Sequence, residues 1–350
     1  MRILHVIFTL QYGGAETLLV DIVNEQAKEH DVNVFVINKD YSEDLLKTID
    51  GQVKVLLFER KIGRFDPKSW FDIYLECYRL KPDIIHCHDS KAIYFVPFFS
   101  FKTILTVHAV NLELKGIGLY HSIVSVSNVV KEDVLKRKKR DSQVIINGIN
   151  IDQIQHKSEE APSPCFKMVQ VGRLNHNIKG QHILLKALSL LRQRNIQQRM
   201  TLAIIGAGPS LAYLKGLVTD LNLADCVFFR GLKDRAFIYE QLRDYDLLVQ
   251  PSIYEGFGLT VIEAMAAGVP VLVSNIYGPA ELVREGQFGY MFHSEDTEDC
   301  ANQIEHIIES HSEVVVKAKK AYLYCVENFS LKKTVSDYAV LYLQLNQHSH

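Results

Sequence analysis

Two carboxylates in an otherwise apolar segment are the first chemistry this chain offers. The stretch YEGFGLTVIEAMAAG, from Tyr254 to Gly268, carries Glu255 and Glu263 eight positions apart, with Gly256 and Gly258 between them. Leu247–Gln250 reads as a strand ended by Pro251 and Ser252. Leu259–Ala267 reads as a helix, with Gly268 where a terminating glycine belongs and Pro270 just beyond. Glu255, Gly256, Phe257 and Gly258 then form a loop between a strand end and a helix start. Bare N–H groups there, with about half a positive charge from the helix dipole, bind anions, and glycine lets a phosphate approach the backbone. A carboxylate behind such a phosphate suits ribose hydroxyls, and one beyond it suits hydroxyls of whatever the phosphate carries. The competing reading is structural: Thr260 and Glu263 have capping-box spacing, and Glu255 is a solvated loop residue.

The elements that must position these residues alternate through the whole sequence. Strands are expected at Ile3–Phe8, Val32–Ile37, Val53–Phe58, Ile84–His86, Thr103–Val107, Ile123–Val126 and Val144–Ile146. Helical patterns such as Ala15–Glu29 and Val129–Lys138 lie between them. The polar, proline-bearing DQIQHKSEEAPSPC, Asp152 to Cys165, reads as a linker. The alternation then restarts at Lys167–Val171, Thr201–Ile205, Val227–Arg230, Leu247–Gln250 and Val271–Ser274, and helices near Glu313–Glu327 and Leu331–Leu345 close it. Continuous Val/Ile/Leu strands are buried on both faces, as in a parallel sheet covered by helices. The expectation is two Rossmann-like doubly wound domains with a cleft between them, ligands binding beyond the carboxyl ends of the strands.

A length of 350 residues fits two cores, and a net charge of −2 supplies no field for nucleic acid. Six scattered cysteines with no Cys-x-x-Cys pair argue against a zinc ribbon or disulfide scaffold and fit a reducing cytosol. The opening MRILHVIFTLQYGGAE reads as a first strand rather than a leader, and no apolar run is long enough to span a bilayer.

Three motifs are weak. DYD, Asp244–Asp246, matches a metal-binding Asp-x-Asp, but precedes the strand Leu247–Gln250 and so lies far from its ligand-side end. HCHD, His86–Asp89, invites a metal, but successive strand residues point to opposite faces. IIGAGP, Ile204–Pro209, lacks the third glycine of a dinucleotide fingerprint, because position 211 is Leu211. The basic run KRKKR, Lys136–Arg140, reads as a solvated helix end or as contact with anionic lipid or an acidic acceptor.

The Glu-x7-Glu pattern within PSIYEGFGLTVIEAMAAGVPVLVS resembles the signature of the retaining GT-B glycosyltransferases, most closely family 4. VGRLNHNIKG (Val171–Gly180) is similar to that family's Gly-Arg-Leu…Lys-Gly segment. YGGAE, DIIHCHDS, TVHAV, VSVSN and INGIN also resemble family segments, in family order, so the likeness covers nearly the whole chain. It implies that Glu255 contacts donor-sugar hydroxyls and Glu263 the nucleotide ribose. It implies that His108, at the end of an apolar strand, touches the sugar near the reacting carbon. Gly13 and Gly14, after the first strand, would bring backbone close to the diphosphate or acceptor, or serve only a tight turn. Gly172, Gly256, Phe257, Gly258 and Leu259 complete the implied donor contacts. Arg173 and Lys179 would neutralise the departing diphosphate without a metal. One departure is that four residues separate Leu174 from Lys179, where three is the commoner family spacing.

The resemblance therefore implies an α/β GT-B fold whose two domains face a central cleft. Residues 1–155 would form an acceptor-side domain, 156–166 a linker and 167–330 the nucleotide-sugar domain, with the helix of about 331–350 packing back on the first. It implies a retaining, metal-independent hexosyltransferase of polysaccharide or glycoconjugate biosynthesis, with a nucleotide-diphosphate sugar as donor, a saccharide or lipid-linked acceptor and no cofactor. The protein would be cytoplasmic, with Lys136–Arg140 available for peripheral membrane contact. A GT-B-fold epimerase, which needs no acceptor, and a silent nucleotide-sugar binder are the alternatives.

Overall fold

The computed structural model describes residues 1–63, 66–157, 164–194, 196 and 198–347. It divides into two compact units. The first is Met1–Ile149 with the helix Leu331–Gln347, and the second is Asn150–Ser330. Of the expected linker, residues 158–163 lie outside the described residues. The residues before them belong to the second unit, where Gln155 N–H donates to Tyr239 O at 3.0 Å and Lys157 N–H to Ala267 O at 2.8 Å.

The first unit contains β1 (Arg2–Ile7), β2 (Asp31–Asn38), β3 (Lys54–Arg60), β4 (Ile84–Cys87), β5 (Lys102–Val107), β6 (Ser122–Ser125) and β7 (Gln143–Val144). They form one sheet in the order β3-β2-β1-β4-β5-β6-β7, and every pairing is parallel. Chemistry follows position: all of β2 but its first residue is buried, whereas the edge strand β3 has no fully buried residue. The second unit contains β8 (Cys165–Val171), β9 (Arg199–Ile205), β10 (Val227–Gly231), β11 (Leu247–Gln250), β12 (Val271–Ser274) and β13 (Tyr290–Phe292). Their order is β10-β9-β8-β11-β12-β13, again all parallel. The first sheet reverses its strand order between β1 and β4, the second between β8 and β11. Crevices open at the carboxyl ends of such strand pairs.

The helix that follows β11 is Leu259–Ala266. It ends as its sequence demands: Gly268 takes a left-handed φ of +72°. Its N–H donates to Met265 O at 3.1 Å, and that of Val269 donates to Ala264 O at 2.9 Å. In the first unit, the helix Leu331–Gln347 lies against the sheet. Thr334 Oγ1 donates to Ile146 O, and the hydroxyls of Tyr338 and Tyr342 reach Thr106 and His86. Among the described residues no helix is long and apolar enough to cross a membrane.

Candidate functional site

In the second unit the loop after β8 meets the loop after β11. The backbone N–H groups of Ile253 and Tyr254 both reach the carbonyl of Ile178, at 2.8 and 3.1 Å. Gly180 makes this approach possible. Its φ is +63°, and a Cβ there would stand 1.8 Å from Pro251 O. The result sets Lys179 Nζ in an ion pair with Glu255 Oε2, with side chains 21% and 16% exposed. The same oxygen accepts from Gln250 Nε2 at 3.2 Å, and Thr260 Oγ1 donates to Gln250 Oε1 at 3.3 Å. Lys179 and Glu255 therefore share one polar network. Arg173 is exposed on the adjoining loop. Its carbonyl accepts from Gln181 Nε2 at 3.0 Å, while its guanidinium has no ion pair among the described residues.

The helix Leu259–Ala266 begins at Gly258, whose φ is +109°, and no side chain caps it. The competing structural reading of this segment needs correction. Thr260 lies inside the helix, not at its cap, and bonds to Gln250, so no capping box with Glu263 exists. Phe257 is buried edge-on against Phe329, centroids 6.2 Å apart, so its side chain serves packing and only its backbone is left for a ligand. Gly278 closes over this loop, since a Cβ there would meet Glu255 O at 2.9 Å. Glu263 is only 5% exposed, with Arg235 Nε 3.7 Å from its Oε1. Burial pushes its carboxyl above the usual range, partly offset by the Arg235 charge. Leu259 is half-buried as the first helical residue.

Sequence reasoning missed Arg235, Gln170 and Gln250. Gln170 is fully buried, and neither of its amide atoms has a partner among the described residues. A Cβ built on Gly172 would lie 3.5 Å from Gln170 Nε2 and 3.9 Å from Lys179 Cε, so the amide sits beside the lysine stem. The signal was present: MVQV and LLVQ each place a glutamine near the carboxyl end of an apolar strand.

In the first unit Gly13 precedes the helix Gly14–Gln26 in extended backbone, and a Cβ on it would strike the Glu16 carboxylate at 2.3 Å. His108 follows β5, half-buried, its ring held to a pKa of about 4 by burial. It is not alone. His86 and Cys87 do point to opposite faces, but His86 and His88 are two apart and share one, so the dismissal of HCHD was wrong about the pair that matters. The nitrogens of His5, His86 and His88 lie within 4.8 Å of one another. All of them are already hydrogen-bonded, to each other or to Gln26, Tyr342, Thr106 and His108.

The remaining motifs make contacts within their own units. Asp246 pairs with Lys157 at 2.7 Å and accepts from Lys167 N–H at the entry to β8. Gly206 and Gly208 leave room for the β8 loop, since a Cβ on either would meet Gly172 O at 2.0 Å or Leu174 O at 2.5 Å. In the basic run Arg137 is tied to Asp133 and Leu112 O, and Arg140 to Tyr120 O.

Comparison with known proteins agrees with this architecture. Residues 151–324 match the family described as Glycosyl transferases group 1, and residues 12–153 match Glycosyltransferase Family 4. The chain is 24% identical over 342 residues to a glycogen synthase of Mycobacterium tuberculosis, covering 91% of this chain and 79% of that one. It is 33% identical over 229 residues to the N-acetyl-alpha-D-glucosaminyl L-malate synthase of Bacillus anthracis, covering 63% and 58%. An Anabaena protein, HepE, solved in complex with UDP and glucose superposes with a TM-score of 0.82 at 21% identity, over 97% of this chain and 99% of that one. With two parallel-sheet α/β units and both halves matched, the chain belongs to the family 4 glycosyltransferases, whose GT-B fold it shares.

Proposed function

We propose that this glycosyltransferase moves a hexosyl group from a nucleotide-diphosphate sugar to an acceptor hydroxyl, with retention and without a metal, in polysaccharide or glycoconjugate assembly. The observation that carries the reading is the Lys179–Glu255 pair beside the uncapped start of the helix Leu259–Ala266. Cation, carboxylate and bare N–H groups stand at the carboxyl ends of β8 and β11, where such sheets bind ligands. Supporting it, one relative is named a glycogen synthase and a structural neighbour holds UDP and glucose.

In this reading Arg173, Lys179 and the backbone of Gly172 and Gly256–Leu259 hold the diphosphate. As the glycosidic bond breaks, negative charge grows on the leaving phosphate, and the two cations stabilise it more in the transition state than before. The leaving phosphate oxygen takes the proton of the acceptor hydroxyl, which attacks from the same face. Glu255, which pairs with Lys179 in this structure, turns to the sugar hydroxyls once the diphosphate engages the lysine. His108 accepts from a hydroxyl of the sugar, Gly13 and Gly14 bring backbone near the diphosphate or acceptor, and Glu263 takes the ribose.

The test is transfer or donor hydrolysis with a panel of nucleotide sugars, after a thermal-shift screen to find the donor. Binding that never releases nucleotide sinks transfer in favour of a silent binder. Full activity is expected to survive EDTA; complete loss restored by manganese overturns the metal-free reading. Glu263→Gln is expected to raise donor KM about tenfold with little change in kcat, since a ribose contact exists in ground and transition states alike. The same change should alter the pH dependence of stability. The native carboxyl holds its proton more tightly than the unfolded one, so ionisation weakens the wild type as pH rises above the usual 4.5. The variant lacks that loss, and its melting temperature should gain on the wild type between pH 4 and 7. An unchanged KM would leave Glu263 with a structural role only.

A further inference from the structure

The buried histidines of the first unit form a line whose hydrogens can be placed one after another. It begins at Gln26, buried at the end of the helix Gly14–Gln26. Gln26 Oε1 lies 2.8 Å from His5 Nε2, and its Nε2 donates to the Tyr342 hydroxyl at 3.3 Å. An amide oxygen has no proton to give, so His5 carries its hydrogen on Nε2 and leaves Nδ1 as an acceptor. His5 Nδ1 lies 3.0 Å from His88 Nε2, which must donate. His88 Nδ1, now an acceptor, lies 3.2 Å from His108 Nε2, which donates in turn. His108 Nδ1 is left as a lone pair, shielded from solvent in this structure and with no partner among the described residues, an orphaned buried acceptor that a ligand hydroxyl would satisfy.

The geometry suits such a line. Successive ring planes are 22° apart with centroids at 5.3 and 5.4 Å, so the rings meet through their nitrogens rather than face to face. Burial holds His5 and His108 to pKa values of about 4 and His88 well below its usual value, so each ring carries one proton at neutral pH. In a chain of singly protonated rings, fixing one end fixes every tautomer.

We propose that Gln26, acting through His5 and His88, locks His108 in the tautomer protonated on Nε2, so that Nδ1 is presented as an acceptor for a saccharide hydroxyl. The lock is a property of the first unit alone; its use on the sugar rests on the function proposed above. Gln26, His5 and His88 are then positioning residues, and only His108 touches substrate.

The test is nitrogen-15 histidine NMR of the full-length protein at neutral pH. The wild type should show His108, His88 and His5 protonated on Nε2, with Nδ1 unprotonated in each. Gln26→Met, which removes the amide, should leave His108 a mixture of tautomers and lower kcat/KM about tenfold, the net worth of one neutral hydrogen bond. Gln26→Glu, which keeps an oxygen facing His5, should restore the single tautomer. His108 protonated on Nδ1 in the wild type overturns the lock, as does one equivalent of tightly bound metal in the purified protein shifting the His5, His86 and His88 resonances. A shifted tautomer with unchanged kcat/KM supports the lock and overturns the sugar contact of His108. Failure of Gln26→Met to fold leaves the wild-type spectrum as the deciding measurement.

Discussion

Arg173→Ala should lower turnover by a factor on the order of 10²–10³ and leave folding untouched. Removing one preorganised charge-stabilising group typically costs this much. The side chain is exposed and forms no ion pair among the described residues, so nothing in the fold depends on it. Lys179→Ala should fall in the same range or somewhat less, but its stability should behave differently. In the structure Lys179 is mostly buried and pairs with Glu255, so its loss leaves a carboxylate unpaired in a partly dry site. The cost should lie between that of an exposed and a buried pair, roughly 1–3 kcal/mol. Restoring that stability with Lys179→Ala/Glu255→Gln, without restoring turnover, would separate the two roles. Because Arg173 and Lys179 are proposed to share one ligand, their double mutant should depart from additivity. Near-wild-type turnover in both single variants, with a verified donor, would reduce these cations to a solvated loop.

The sheets were legible because their strands are buried on both faces and read as apolar runs. Leu247–Gln250 and Val271–Ser274 have their expected bounds. The strand Tyr290–Phe292 was missed because three residues carry no readable period. The helix start at Gly258 was legible from turn chemistry. The Thr260–Glu263 capping box was a false lead, because spacing alone cannot say which residue is the cap. What sequence could not supply were contacts across the chain. The Lys179–Glu255 pair joins positions 76 apart, and it exists because Gly180 lets Pro251 come close. The histidine line joins β1, the end of β4 and the end of β5, and its direction comes from a glutamine on a helix. Strand order, not any local motif, brings those residues to one face.

The same histidines should make the first unit acid-labile above the pH at which its partner-held carboxylates are protonated. His5, His86 and His88 are buried, and burial depresses each ring, His5 to about 4 and the others well below the usual 6.5. No carboxylate is among their hydrogen-bond partners in the described residues to offset that. The folded rings refuse protons that unfolded rings take, so the stability they permit is complete above pH 6.5 and is lost as pH falls below it. Each ring contributes a slope approaching about 1.4 kcal/mol per pH unit once the unfolded ring is protonated. With His108, also held to about 4 by burial, four rings together approach about 5 kcal/mol per unit, against a typical total of about 5–15 kcal/mol. The first unit should therefore lose stability progressively as pH falls below about 6.5, before its partner-held carboxylates are protonated. Carboxylates held low by partners, such as Glu113 at about 2, act below their ordinary 4.5 and so lie under this window. Trp70, the single tryptophan, lies in the first unit with its Nε1 donating to Tyr94 O at 2.7 Å, so its fluorescence reports that unit alone. His86→Gln should shallow the acid transition reported by Trp70 by about a quarter. A tryptophan signal that remains native to pH 4 would mean that the folded unit accepts these protons without penalty, and the neutral, singly protonated histidine line would fall with it.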